Sequence, residues 1–442
     1  METIPFARPY IGKEEEEAVL TVLRSHWLTT GKETLEFEKE FADFFTANGG
    51  NNKGASNDEE KLRENDEDND PLYCMAVNSA TSGLHLALEA AGIGKDDIVL
   101  VPSMTFTATA EVIRYLGGEA VFVDVAKGSF HMDPAALEQT LERLSKGLPA
   151  YPARKPENSR TSGDGFGPRG KAKALIPVHY GGLSCDMNAI LPIADKFGLK
   201  VIEDAAHSFP AYIQDKNKDG KKTWAGLMGD AGVFSFYATK TISTGEGGMV
   251  ATRSREAAER IRIMRSHGID RSVFNRYTDT NASWYYEVIA PGFKYNIPDI
   301  LSALGRAQLR RANELLAMRK ELADLYDCAF RDDAHFSIPR TARGDARHLY
   351  PLRLNLEKLS INRNEFAEKI QKQGIGISVH FIPLHTMPYY KKRYHLEDSD
   401  FHETMDVYNR EISLPLWPGM TESQAERVIG VVKTLGMEYN KG

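Results

Sequence analysis

Residues 201–250 read VIEDAAHSFPAYIQDKNKDGKKTWAGLMGDAGVFSFYATKTISTGEGGMV, and they restrict the chain to few architectures. An apolar strand at 199–202 leads in and ends on two acids, Glu203 and Asp204. A polar, turn-rich patch follows. A second strand, 232–237, then runs out toward Lys240 and a glycine-rich tail at 244–248. A carboxylate and a lysine, each just past the end of a buried strand, stand where open α/β sheets gather their ligand-binding groups.

One chemistry suits that pair. A lysine that forms a Schiff base with pyridoxal phosphate must lie in a dry pocket, so that its amine is deprotonated and nucleophilic. A carboxylate must also face the pyridine nitrogen and keep it protonated, so that the ring accepts electrons. Lys240 and Asp204 are the candidates. Taken alone, they fit a blander reading at least as well: a solvated loop lysine, and a helix N-cap for AAHS.

The remainder of the chain shifts that balance. In order, it carries PFARPYIGKEE, WLTTGKETLEFE, NSATSGLHLALEAAGIGKDD, VPSMTFTATAEVI, IPVHYGG, VIEDAAHS, FSFYATKTISTGEGGMV, GFKYNIPDILSALGRAQL, VHFIPLHTMPYY and SLPLWPGMTE. With these ten ordered blocks the sequence resembles the DegT/DnrJ/EryC1/StrS family of sugar aminotransferases over nearly its whole length, inserts excluded. Within that family it is most similar to enzymes that aminate UDP-4-keto-arabinose and related 4-keto sugar nucleotides. The resemblance implies fold type I, an α/β architecture: a large domain with a mainly parallel, doubly wound sheet and a smaller C-terminal α/β domain. Pyridoxal 5′-phosphate is the implied cofactor. The implied partners are a keto sugar nucleotide and an amino donor, glutamate.

The resemblance also implies residue roles. Lys240 would hold the cofactor and, once freed by the donor amine, move the proton in transamination. Asp204 would pair with the pyridinium. Phe106 falls where the family stacks an aromatic ring on the pyridine, and Ala206 where a small residue packs on the opposite face. His207 matches a position beside the 3-hydroxyl, and Ser235 a phosphate ligand. Asn296 matches an asparagine that reaches the phosphate of the other subunit, which implies a homodimer with shared sites. His385 lies near where the family binds the sugar nucleotide. Members that dehydrate rather than aminate carry histidine at the lysine position; here it is Lys240.

One further binding pair comes from local chemistry. Ser79 or Thr81 caps a helix striped by Leu84, Leu88 and Ala91, and a helix N-terminus rich in hydroxyls is an anion site. Thr81 and Ser82 are the phosphate-binding candidates, with a plain capping motif as the alternative.

Composition bounds the other classes. The chain has 442 residues, 42% of them hydrophobic and 26% charged, enough for a large core and two domains. A net charge of −7 gives no reason to expect nucleic acid or an anionic membrane as partner. Cys74, Cys185 and Cys328 have no metal-ligand spacing, and a reduced cytoplasmic setting fits them. The start is not a signal peptide, and no apolar run approaches the roughly 20 residues of a spanning helix. DxNxDG at 215–220 matches the start of a calcium loop, but Gly226 stands where a bidentate Glu is needed, so a hairpin loop is expected and no metal.

The expected boundaries follow from pattern. Helices are read at 13–24, 33–45, 134–144, 187–197, 256–265, 364–373 and 421–435, with long helical patterns over 298–329. Strands are read at 74–77, 98–101, 121–125, 174–178, and in HLYPLRL and GISVHF. Residues 48–70 hold almost no apolar side chain and read as a disordered insert. Residues 147–173, rich in Pro, Gly, Arg and Ser, read as a second surface insert. Residues 277–290 read as a loop over the site. The domains are placed at 1–275 and 276–442. Two rivals remain: another fold type I pyridoxal phosphate enzyme, and a sugar-nucleotide sensor without turnover. No GxGxxG follows a strand, which argues against a nicotinamide dehydrogenase.

Overall fold

The structure, a computed structural model, describes residues 2–48, 71–152, 165–215, 220–270 and 285–441. The expected insert beyond Asn48 and most of the expected loop at 277–290 lie outside them.

Two helices open the chain, α1 (Lys13–Ser25) and α2 (Lys32–Asn48), and the Glu15 carboxylate closes the first turn by accepting the Gly12 amide at 2.7 Å. Strands and helices then alternate: β1 (Tyr73–Val77), α3 (Ala80–Ala90), β2 (Ile98–Pro102), α4 (Ala108–Tyr115), β3 (Glu119–Val123), α5 (Pro134–Ser145), β4 (Ala172–Leu175), α6 (Met187–Phe197) and β5 (Lys200–Asp204). A hairpin, β6 (Tyr212–Asp215) with β7 (Lys221–Trp224), precedes β8 (Ala231–Ser235), β9 (Gly248–Thr252) and α7 (Arg255–Met264).

Seven of these strands form one sheet in the order β1-β9-β8-β5-β4-β2-β3. Only β9 runs antiparallel to its neighbours, so the carboxyl ends of β1, β2, β4, β5 and β8 share one edge. Strands β2, β8 and β9 are buried at every residue, as expected where helices cover both faces.

The chain continues through α8 (Asp299–Arg310) and α9 (Ala312–Phe330) to β10 (Phe336–Ser337), β11 (Tyr350–Leu354), α10 (Arg363–Lys372), α11 (Pro388–Tyr394), α12 (His402–Arg410), β12 (Glu411–Leu414) and α13 (Glu422–Glu438). Strands β10-β11-β12 make a separate antiparallel sheet. Around it lies a second apolar core that draws on Tyr326, Leu352, Ile412 and Val428, and also on Ile4 from the start of the chain.

Two expectations change. GISVHF is not a strand: Ser378 makes only an isolated bridge, to Ser413, and Ile375 just before it another, to Ile4. Gly376 presses on the backbone of Ile4 and Phe6, so the stretch bonds to the N-terminal segment instead of continuing a ladder. The flanks of the expected insert at 147–173 are packed. Tyr151 and Phe166 are buried and exchange backbone hydrogen bonds at 3.0 Å each way, and the Tyr151 hydroxyl accepts the Phe122 amide at 2.8 Å. Aromatic area outweighed the Pro/Gly composition there; residues 153–164 lie outside those described.

Candidate active site

The site forms where β5, β8 and the start of α3 meet at the carboxyl edge of the large sheet. Strand alternation sends the neighbours Glu203 and Asp204 to opposite sides. Glu203 is fully buried and accepts the amides of Gly226 (2.8 Å), Met228 (2.5 Å) and Gly229 (2.7 Å) and Nε2–H of His179 (2.9 Å). It fixes a turn. The His179 Nδ1 accepts the Cys185 amide at 3.1 Å; an amide can only donate, so this ring is neutral with its proton on Nε2.

Asp204 faces the cleft. Its Oδ2 accepts the Thr109 hydroxyl at 2.8 Å and its Oδ1 the Ala206 amide at 3.2 Å, while Thr109 lies 2.7 Å from the Thr105 hydroxyl. Burial pushes this carboxyl above its usual range, opposed by the Thr109 bond, the Ala206 amide and the nearby charge of Lys240.

Lys240 follows β8 in a turn closed by its own amide to the Tyr237 carbonyl at 2.9 Å. Burial depresses its ammonium to about 7, against the pull of Asp204 and with a push from Arg319. Its amine is therefore substantially neutral at physiological pH.

The glycine tail has a steric reason. A Cβ on Gly248 would lie 2.7 Å from the Ala80 nitrogen, so only glycine lets β9 pass this close to the start of α3. That contact brings Ser235, paired with Gly248 in register, beside the helix N-terminus. Ser79 is the N-cap: its Oγ accepts the Ser82 amide at 3.1 Å, and the Ser82 hydroxyl donates to Asn78 Oδ1 at 2.8 Å. Ser82 is thus committed to the cap. Thr81, on the first turn, keeps its hydroxyl for a ligand, as does Ser235, whose Oγ accepts only the Tyr237 amide at 3.3 Å.

One wall is aromatic. Phe106 is 56% exposed, and its ring lies 5.8 Å from Phe381. Phe381 lies 5.7 Å from His207. His207 Nδ1 accepts the Gly181 amide at 3.2 Å, leaving Nε2–H as a donor, and burial followed by the Lys240 and His380 charges holds the ring far below its usual value. Burial and Lys240 likewise bring His380 down to about 4. His380 Nδ1 is 2.9 Å from Ser413 Oγ, which bonds to the fully buried Glu411.

Lys240, Asp204, Ala206, His207, Ser235, Thr81 and Phe106 therefore gather at one edge. Asn296 bridges to Val77 just before α3, and its side chain is taken by Thr30 and Lys294 of its own chain. His385 stands apart: it is fully buried, stacked 4.3 Å from Phe401, with Nδ1 2.6 Å from Ser103 Oγ. Two residues escaped the sequence reading. Thr109 carries no pattern that points to Asp204. Arg319 does leave a trace, an arginine on the stripe Leu315, Leu322, Tyr326; it is 2% exposed and bonds the carbonyls of Thr239, His348 and Leu416 at 2.9–3.1 Å.

A buried acid and a lysine held near neutrality, beside a hydroxyl-lined helix N-terminus and an exposed aromatic face, fit pyridoxal phosphate in each of its parts. The fold and site together define a fold type I pyridoxal phosphate-dependent aminotransferase. More narrowly, the chain belongs to the DegT/DnrJ/EryC1/StrS aminotransferase family, whose model matches residues 9–50 and 66–433. It is 38% identical over 437 residues to the spore coat polysaccharide biosynthesis protein SpsC of Bacillus subtilis, covering 98% of this chain and 97% of that protein. Among solved structures it resembles PseC of Helicobacter pylori, an aminotransferase involved in pseudoaminic acid biosynthesis, at 26% identity and a TM-score of 0.79 over 99% of this chain and 100% of that one. It also resembles the PLP form of the putative sugar aminotransferase Spr1654 of Streptococcus pneumoniae, at 26% identity and a TM-score of 0.78, with 99% of each chain covered.

Proposed function

We propose that this enzyme moves an amino group from glutamate onto a keto sugar nucleotide, with a 4-keto sugar favoured, and that it works as a cytoplasmic homodimer. The observation that carries the reading is the placement of Lys240 just past β8, at the sheet edge where the neighbouring strand β5 ends on the buried Asp204. Bound pyridoxal phosphate supplies a carbonyl that carries the amino group and a ring that accepts the electron pair left when a proton departs.

The chain's own residues do the rest. Thr81, Ser235 and the first-turn amides of α3 bind the phosphate. Asp204, held by Thr109 and Ala206, would supply the negative charge that the ring nitrogen needs. Phe106 and Ala206 would flank the ring, and His207, with Nε2–H free to donate, would face its 3-hydroxyl. Neutral Lys240 is the nucleophile that holds the cofactor and, when released, the base that takes the proton from the donor's α-carbon.

SpsC and PseC, named for polysaccharide and pseudoaminic acid synthesis, support an amino sugar for surface glycans as the product. The separate core around β10-β11-β12 supports a two-domain division with α8 and α9 as the connection, while Leu384, Tyr390, Tyr394 and Phe401 of the C-terminal part pack into the core of the large sheet. The test is a screen of 4-keto and 3-keto sugar nucleotides with glutamate, following 2-oxoglutarate. Amination of none of them, with the cofactor bound, would sink the substrate assignment.

A further inference from the structure

Beside the outer strand β3 lies a cavity of about 540 Å³, lined on one side by Lys127 and Gly128 and on the other by Arg340, Arg353 and Arg410 of the C-terminal part. None of its lining residues is among those gathered around Lys240 and Asp204. It belongs to a different place in the fold.

Its charges are unbalanced. Arg410 holds two carboxylates, Glu357 at 2.7 Å and Asp406 at 2.7 Å, which leaves one negative charge there against the three cations Arg353, Arg340 and Lys127. Arg353, Arg340 and Lys127 have no carboxylate within bonding distance among the described residues. Arg353 projects from β11 on the face opposite Leu352 and Leu354, which are buried in the second core. Its Nε is buried with no hydrogen-bond partner, and a Cβ on Gly128 would stand 2.9 Å from its Nη1. Gly128, at φ +65°, leaves room for the guanidinium. Burial, then the positive charge of Arg340, weighs against protonation of Arg353, and the nearby Asp406 offsets this only in part.

A part-buried guanidinium costs free energy unless an anion pairs with it. Guanidinium forks match phosphate oxygens, and the cavity volume is that of a small-molecule site. We propose that this cavity is a second ligand site, which takes the phosphate groups of a small soluble metabolite between Arg353, Arg340 and Lys127. Such a ligand would bridge the loop after β3 to the three-stranded sheet and tie the two cores together. The inference is independent of the sugar substrate.

The test uses the cofactor-loaded enzyme and inorganic pyrophosphate, with sodium chloride at matched ionic strength as control. Calorimetric titration of the wild type should give a Kd at or below about 1 mM, and Tm should rise with pyrophosphate but not with chloride. Arg353→Met should weaken this binding tenfold or more, and without the anion it should melt no lower than the wild type, because it removes an unpaired cation. Arg340→Ser, a surface change that spares the fold, should weaken binding severalfold. Unchanged pyrophosphate affinity in both variants would overturn the proposal. So would an Arg353→Met protein that melts lower yet binds pyrophosphate as the wild type does, since that result assigns Arg353 a packing role alone.

Discussion

Arg319 lies beneath Lys240: its Nη2 donates to the Thr239 carbonyl at 3.1 Å and approaches that of Lys240 at 3.5 Å. Nη1 reaches the other way, to His348 at 3.1 Å and Leu416 at 2.9 Å. One guanidinium from α9 thus ties the catalytic turn to the C-terminal sheet region. It has no carboxylate partner, and burial brings it down to about 10.

Arg319→Met should leave those carbonyls without donors. A loss of about 3 kcal/mol in chemical denaturation is expected, with weaker cofactor retention. Unaltered stability would show that the four carbonyls find water instead.

Asp204→Asn tests the electronic role. The amide can still accept from Ala206, and the Thr109 hydroxyl can turn to accept from the new Nδ2, so the fold survives. The cofactor should remain bound while kcat falls by about 10², or about 2.7 kcal/mol. Near-normal turnover in a fully loaded variant would reduce Asp204 to a structural acid.

Thr109→Val removes a donor from the same carboxylate with little change in volume. The Asp204 carboxyl should then rise further, and kcat should drop about tenfold near neutrality, a loss of about 1.4 kcal/mol. The diagnostic is the pH profile, whose acid limb should move upward. A uniform loss at every pH points to packing instead.

Lys240 should set the pH dependence of cofactor capture. Its ammonium loses its proton near 7 in the fold and near 10.5 in a free chain. The rate at which apoprotein takes up pyridoxal phosphate should therefore rise through about pH 7 and level off well below 10. Borohydride reduction of the holoenzyme should then leave the label on Lys240, read by peptide mapping.

Glu411 gives a stability test with a definite sign. Burial raises its carboxyl from 4.5 to about 8, so between those values the fold binds a proton that the unfolded chain has released. Stability from this group is present below 4.5 and declines as pH rises through 8. Glu411→Gln should keep the bonds to Ser413 and the His380 amide, flatten that decline and raise stability at pH 8. A variant with the same pH slope as the wild type removes Glu411 from the account.

Much of the site was legible because strand ends and glycines announce it. Asp204 and Lys240 stand just past apolar runs, and Gly248 marks a close backbone approach. The supports were not legible. Thr109 reaches Asp204 across 95 residues, and a hydroxyl in TATAE has no pattern that names its partner. Ser79 and Ser82 form one motif, and only geometry shows that Ser82 spends its hydroxyl on the cap. GISVHF alternates like a strand, yet its partner, Ile4, lies at the other end of the chain and pairs at single residues. Tyr151 and Phe166 are two aromatics in a polar, Gly-rich stretch, and composition averaged them away.

The buried Tyr151–Phe166 pair makes the large sheet a mounting frame. Mutual backbone bonds fix the two residues side by side, and cross-strand geometry puts their Cα atoms about 5.5 Å apart. Gly165 and Gly167 are fitted against Tyr151 so closely that a Cβ on either would collide with it. The chain thus departs and returns through one doorway, latched to Phe122 by the tyrosine hydroxyl. A foreign peptide or a whole module spliced between Pro152 and Gly165 would inherit a clamp at both ends, at the outer strand β3 of the sheet.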